Sequence, residues 1–167
     1  MIFVTVGTHE QQFDRLVQKI DELKKCGELE DEVVIQTGYS TYIPEHCISK
    51  QFFKYPEMIE IVEKARIVIT HGGPSSFIMP LQIGKVPIVV PRMKKYGEHV
   101  NDHQLLFCQR VADRVGNIIL VDDVDQISNA ISNYDRIVKN MKSGLTSNNE
   151  QFNRRLIEIV DNLIKNK

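Results

Sequence analysis

Two polar clusters flank one apolar run between Arg66 and Gln104. The first is a glycine turn, His71-Gly72-Gly73-Pro74-Ser75-Ser76. The second is a run of acids, amides and histidines, Glu98-His99-Val100-Asn101-Asp102-His103-Gln104. Glycine lets a backbone approach a ligand closely, and the first turn of a helix leaves N–H groups unpaired at the positive end of its dipole. The first cluster is therefore a place for an anion. The dipole contributes only about 0.3–1 kcal/mol, or ~2 kcal/mol when partly buried, whereas micromolar binding of a nucleotide needs roughly 8 kcal/mol. Base and sugar must be held by other groups, and His71 with Glu98, His99, Asn101, Asp102, His103 and Gln104 can supply them. A third cluster, Gly7-Thr8-His9-Glu10, follows the first apolar run. If neighbouring parallel strands deliver their C-terminal ends to one crevice, all three clusters meet there. His9 and Glu10 are then candidate proton acceptors.

Each assignment has a plainer counterpart. His9 can instead position a phosphate or cap the following helix. His71 can satisfy backbone groups at a strand end, and Glu98 and His99 can be ordinary loop residues. Tyr39 and Ser40 either contact a base or sugar or form a turn after Gly38. Arg92, Lys94 and Lys95 either add positive charge near a phosphate or are a solvated basic loop.

The elements that must carry these clusters follow from periodicity. Apolar runs alternate with helical periods, the signature of βα units and a mostly parallel sheet with helices on both faces. Strands are expected at Ile2 to Val6, Val33 to Thr37, Ile48 to Phe53, Ile67 to Thr70, Pro87 to Val90 and Ile118 to Val121. Phe13, Leu16, Val17, Ile20 and Leu23 mark one face of a first helix, and a second runs from Pro56 to Lys64. A third is opened by Ser75 or Ser76 and bent by Pro80. Val100, Gln104, Phe107 and Val111 recur at helical spacing, and Asp122 or Asp123 is placed to cap another helix. Residues 1–148 form the expected ligand-binding domain. After a Ser/Asn-rich stretch, Phe152, Leu156, Ile159, Val160 and Leu163 share a face of a last helix in 149–167, expected to bridge to a partner.

Composition narrows the function. The chain has 167 residues, 42% hydrophobic and 26% charged, enough for one sizeable core. A net charge of −1 offers no basic field, so nucleic acid is not expected as a partner. No stretch is apolar for the length of a membrane span, and Met1 leads straight into a strand, so the expected compartment is the cytoplasm. Cys26, Cys47 and Cys108 lack metal-ligand spacing and are expected as free, packed thiols. A hydrolase is disfavoured, because no Gly-x-Ser-x-Gly elbow or carboxylate cluster is present.

The segments VTVGTHEQQFDRLV, QTGYS and THGGPSSFIMPLQIGKVPIVVPR, followed by GEHVNDHQ, resemble the C-terminal domain of family 28 glycosyltransferases. They look most like small bacterial exopolysaccharide and capsule subunits. Those in turn resemble the catalytic subunit of the two-part N-acetylglucosaminyltransferase of the dolichol pathway. The resemblance implies a Rossmann-like fold equivalent to the C-terminal half of a GT-B enzyme. It implies transfer with inversion of a hexose, galactose by preference, from a UDP-sugar to a lipid-linked saccharide, without metal or other cofactor. Gly72, Gly73, Pro74, Ser75 and Ser76 would hold the diphosphate, with His71 beside it. Asp102, His103 and Gln104 would face the sugar, and Gly7, Thr8 and His9 would line the cleft from below. A membrane-anchored partner would supply the acceptor half, hold this chain at the inner face of the membrane and offer a carboxylate as an alternative base. An isolated half could also self-associate. Many relatives carry a ribose-binding Glu where this chain has Met79, which cannot accept those hydrogen bonds. Glu98 is one candidate substitute. Without such a substitute, a non-catalytic nucleotide-sugar-binding module is the alternative function.

Overall fold

Runs of β-branched residues fill the strands, and amphipathic stretches fill the helices between them. The computed structural model describes residues 1–141. In chain order these are β1 (Ile2–Thr5), α1 (Asp14–Lys25), β2 (Val33–Gln36), β3 (Ile48–Lys50), α2 (Tyr55–Lys64), β4 (Ile67–His71), α3 (Pro74–Gln82), β5 (Ile88–Val90), α4 (His103–Arg114), β6 (Ile119–Leu120), α5 (Ile127–Ser132) and α6 (Tyr134–Asn140). Short 3-10 turns occupy Lys94–Tyr96 and Val124–Gln126. The expected helix within 149–167, and the boundary at 148, lie outside the described residues.

The strands form one six-stranded parallel sheet in the order β3-β2-β1-β4-β5-β6. Strand order reverses between β1 and β4, the position where doubly wound sheets open a crevice at their carboxyl ends. Thr5 pairs with Thr70 on one side and Gln36 on the other, so the loops after β1 and β4 leave the sheet side by side. The α/β, Rossmann-like expectation holds.

Both faces of the sheet are covered. On one, Ile2, Val4, Ile67, Ile69 and Ile88 pack with Phe13, Leu16, Val17 and Ile20 of the α1 region and with Ile127, Ile131 and Tyr134. On the other, Phe3 and Val68 pack with Val62 of α2, and Val89 packs with Phe77, Leu81 and Cys108 of α3 and α4. Helix α1 begins with Asp14 and ends with Lys24 and Lys25, charges that complement its dipole. Lys85 donates to the carbonyls of Val62, Glu63 and Ala65 and so satisfies the C-terminal end of α2.

Two local expectations are corrected. Helix α3 starts at Pro74 with Gly73 at its cap, so neither Ser75 nor Ser76 opens it. Proline needs no N–H at a first helical position and takes that place. Pro80, the residue expected to bend this helix, lies inside it, and α3 runs on to Gln82. Helix α4 starts later than the Val100 spacing suggests: Val100 is 68% and Phe107 42% exposed, while Cys108 is fully buried. Its inward face is fixed by Gln104, which accepts from the Arg92 amide, and by Cys108, whose thiol meets the Gly72 carbonyl.

Candidate functional site

At the switch point the His71 ring lies between two glycines. A Cβ on Gly73 would fall 2.4 Å from His71 Nε2, and one on Gly7, whose φ is +75°, would fall 2.4 Å from His71 Cε1. Both positions therefore need glycine, and Gly7 also needs its left-handed backbone. Below them, Thr5 Oγ1 accepts from the Gly7 amide and from Gln36 Nε2, and Gln36 Oε1 accepts from the Phe53 amide. That buried chain holds the β1 loop in place. Burial, followed by the Arg92 guanidinium and the rings of His9 and His99, lowers the His71 pKa to about 3. At neutral pH His71 is thus an uncharged ring. Its Nδ1 is buried with no hydrogen-bond partner among the described residues.

Two cavities of about 550 Å³ each share this turn. The first, between the sheet edge and helices α2 and α3, has an apolar wall of Phe3, Met58, Val62, Val68 and Met79. Its polar end carries Thr8, His9, Gly73, Ser75, Ser76 and Gln104. The second lies between the α3 start and α4, with Gly72, Pro74, His99, His103, Phe107 and Arg110 in its lining. Gly73 and Gln104 border both. In the first turn of α3, Pro74 has no N–H and the Ser76 amide donates to the Gly73 carbonyl. The Ser75 amide has no backbone partner among the described residues, so it and the two serine hydroxyls can meet an anion.

Several candidates from the sequence belong to the scaffold instead. Glu98 is fully buried: its carboxylate takes a two-pronged pairing from Arg15 at 2.9 and 3.0 Å and the Met93 amide at 3.0 Å. It has no free edge for a ribose, which corrects that expectation. Arg92 is not a solvated loop cation. It is fully buried over the Phe13 ring and donates to the carbonyls of Val6, Gln11, Gln12 and Glu98. Asp102 accepts from the Lys94 amide and lines a separate depression with Met93, Tyr96 and Asp123, away from the shared turn. Asn101 accepts from the His103 amide and faces the His99 ring, a positioning part. Glu10 is exposed and lines neither cavity.

The remaining candidates converge. Gly7, Thr8, His9, His71, Gly73, Ser75, Ser76 and Gln104 border the first cavity, and Gly72, Pro74, His99 and His103 the second. The Gln104 carbonyl is committed to the Arg92 amide at 3.1 Å, which leaves its NH2 as the end available to a ligand. Met79 is partly buried against Phe3, Val34 and Val68, a wall rather than a hydrogen-bonding group. Sequence reasoning missed Tyr55, Met58, Phe107 and Arg110 as cavity residues. The helical stretches that carry them had signalled only packing. Among the described residues, no group of His, Cys, Asp and Glu is arranged to hold a metal ion, and no helix is long and apolar enough to cross a membrane. Cys108 is buried and Cys26 exposed, so the latter is not the packing residue expected.

Several known proteins are similar to this chain. The human "UDP-N-acetylglucosamine transferase subunit ALG13" is 34% identical over 113 residues, 62% of this chain and 9% of that protein. The mouse protein of the same name is 31% identical over 106 residues, again 9% of its length. The chain therefore matches only a small part of these relatives. Among solved structures, the glycosyltransferase SnogD from Streptomyces nogalater aligns with a TM-score of 0.42 at 20% identity, covering 54% of this chain and 25% of that one. The glycotransferase of kitacinnamycin aligns at 0.47 and 15% identity, covering 81% and 36%. The family model described as "Glycosyltransferase family 28 C-terminal domain" matches residues 1–163, nearly the whole sequence, and the chain belongs to that family.

Proposed function

We propose that this chain is the donor-binding half of an inverting, metal-independent hexosyltransferase that uses a UDP-sugar. The observation that carries this reading is the neutral His71 packed between Gly7 and Gly73, at a helix start bordered by two cavities. A diphosphate fits the α3 start. The apolar wall of Met58, Val62 and Met79 suits a base and ribose, and the cavity with His99, His103 and Gln104 suits a hexose. Preorganised donors at the diphosphate would stabilise charge as the nucleotide leaves.

Completion of the site by a second subunit is part of the proposal. Donor and acceptor of a two-half transferase meet in the cleft between halves, and the described residues form one doubly wound sheet. The human and mouse relatives are each named as a subunit, which supports a partner. We assign that partner the acceptor site for a lipid-linked saccharide and the attachment to the inner face of the membrane, with this chain on the cytoplasmic side. The surface-polysaccharide setting and galactose follow from the sequence resemblance. The relatives' names make N-acetylglucosamine the competing sugar.

Isothermal titration of the purified chain with UDP, UDP-galactose, UDP-glucose and UDP-N-acetylglucosamine, without added metal, tests this. One UDP-sugar should bind more tightly than UDP, and Gly73→Asp, which drives a carboxylate into His71 and the anion site, should abolish binding. Absence of binding to every nucleotide, both alone and in membranes that contain the other subunit, would sink the proposal.

A further inference from the structure

The rings of His9 and His99, one bordering each cavity, lie 5.1 Å apart between centroids, and their hydrogen bonds fix opposite tautomers. The Gln11 amide donates to His9 Nδ1 at 3.2 Å. A backbone N–H cannot accept, so this nitrogen is bare and the proton of neutral His9 sits on Nε2.

His99 is held the other way. The His103 amide donates to Asn101 Oδ1 at 3.1 Å, which fixes the amide with its oxygen there. That oxygen lies 3.1 Å from His99 Nδ1, and the Asn101 carbonyl lies 3.2 Å from the same nitrogen. Two oxygens that can only accept require an N–H between them. The Asn101 amide at 3.4 Å, the longest of the three contacts, would favour the other tautomer and is outweighed. The proton is on Nδ1, so Nε2 carries a lone pair.

We propose that His9 and His99 work as a donor–acceptor pair, with His99 Nε2 taking the proton of the attacking hydroxyl while His9 Nε2–H hydrogen-bonds the departing phosphate. Asn101 is a positioning residue that sets the His99 tautomer. This rests on the transferase reading above and replaces His9 as the base. Placement agrees with it: His9 shares its cavity with Ser75 and Ser76 at the anion end, and His99 faces the cavity assigned to the sugar. Loss of solvent, then the Arg92 guanidinium and His99, lower the His9 pKa, which keeps it neutral and a donor from Nε2.

The step balances. The hydroxyl proton passes to His99 Nε2 as the hydroxyl oxygen forms its bond to the anomeric carbon. The bond from that carbon to the diphosphate oxygen breaks, and its electron pair leaves with the nucleoside diphosphate. The imidazolium then returns its proton to solvent.

Long-range proton–nitrogen NMR on the full chain labelled with 15N-histidine reads both tautomers directly, and should show Nε2–H for His9 and Nδ1–H for His99. The roles are read by transfer of labelled hexose to the lipid fraction, with membranes of producing cells that lack this chain and purified protein added back. His99→Ala should lower the transfer rate about 10²-fold or more, the scale of general acid–base catalysis, with a much smaller change in UDP affinity. Asn101→Leu should lower the rate about 10-fold, and Asn101→Asp, which keeps an acceptor for Nδ1–H, should restore most of it. His9→Gln, which keeps an N–H, should retain more UDP affinity than His9→Ala. Reversed tautomers, or full transfer by His99→Ala, would overturn the pair even with UDP bound normally. Failure of the wild-type chain to bind UDP would overturn the transferase reading, and these roles with it.

Discussion

Asp21 and Glu98 are both buried carboxylates that gather a loop, and the two loops end with different surpluses. Asp21, 1% exposed, accepts from the Tyr42 hydroxyl, the amides of Glu45 and His46 and the His46 ring. Its loop, from Thr41 to Cys47, is tied to α1 and lines neither of the two cavities at the glycine turn. Glu98 is buried as completely, and with Arg15 of the same helix and the Met93 amide it holds the loop after β5. There the carboxylate takes over the scaffolding, so its neighbours His99, His103 and Gln104 remain open to the cleft. The buried acid is structural in both places. What makes one loop a candidate site is the hydrogen-bonding capacity left over after the scaffold is satisfied.

The comparison breaks most severely at Glu98. Glu98→Ala leaves Arg15 without its carboxylate at a nearly dry position, a loss of about 3–5 kcal/mol for a broken buried pair. In a chain of this length that lowers the melting temperature by roughly 10 °C. Nucleotide binding should fall with it, because the loop that carries Gln104 loses its anchor. A melt that barely moves would place Glu98 among the ligand-facing residues after all.

Asp21→Asn should separate stability from binding. Burial by itself would raise the Asp21 pKa, but the amides of Glu45 and His46, the His46 ring and the Tyr42 hydroxyl overcome that and hold it at about 2, below its ordinary 3.8. A depressed carboxyl stabilises the fold above its unfolded pKa, and that contribution is lost as pH falls through the folded one. The variant should therefore lose about 2 kcal/mol at pH 7. Its gap from wild type should close between pH 4 and 2. His71 acts at higher pH: its folded pKa of about 3 against an ordinary 6.5 means stability is lost as pH falls through that span. Both proteins share that loss, so the difference between them isolates Asp21. UDP binding should be unchanged, and a fall would mean the two loops are coupled.

The contrast also marks how far the sequence could be read. The strands, the inward face of α1, the span of α2 and the glycine turn follow from neighbours a few residues apart, so periodicity and glycine spacing expose them. The destinations of Glu98 and Arg92 depend on partners 83 and 81 residues away, and no local pattern announces them. An acid beside a histidine in a loop reads the same whether it faces a ligand or an arginine. The same holds for α4, where the spacing of Val100, Gln104, Phe107 and Val111 suggested one inward face: Gln104 and Val111 do turn inward, Val100 and Phe107 are exposed, and Cys108 completes the face.

Gln104→Glu sharpens the idea of left-over capacity at a single atom. The remaining oxygen can still accept from the Arg92 amide, so the scaffold keeps its bond, while the NH2 is replaced by negative charge beside the anion turn. UDP affinity should drop about 10-fold, or about 1.4 kcal/mol, with a melting temperature within roughly 2 °C of wild type. A large loss of stability with normal binding would reverse the assignment.

The smallest effect concerns Cys47, which reports on the closed loop without touching the site. Burial first, then the Asp21 carboxylate, push its thiol up to about 12, and burial does the same to Cys108. The thiolate is the reactive form, so at pH 8 roughly one molecule in 10⁴ is ready to be alkylated at either position. Cys26 is exposed, and iodoacetamide should label it first, by peptide mass spectrometry of the native chain. In Asp21→Asn the carboxylate's contribution disappears while burial remains, so Cys47 should label several-fold faster and Cys108 at its former rate. If Cys108 accelerates equally, the substitution has loosened the whole fold. If neither changes, the Asp21 loop is held by packing, and its carboxylate is not the hub that the comparison with Glu98 requires.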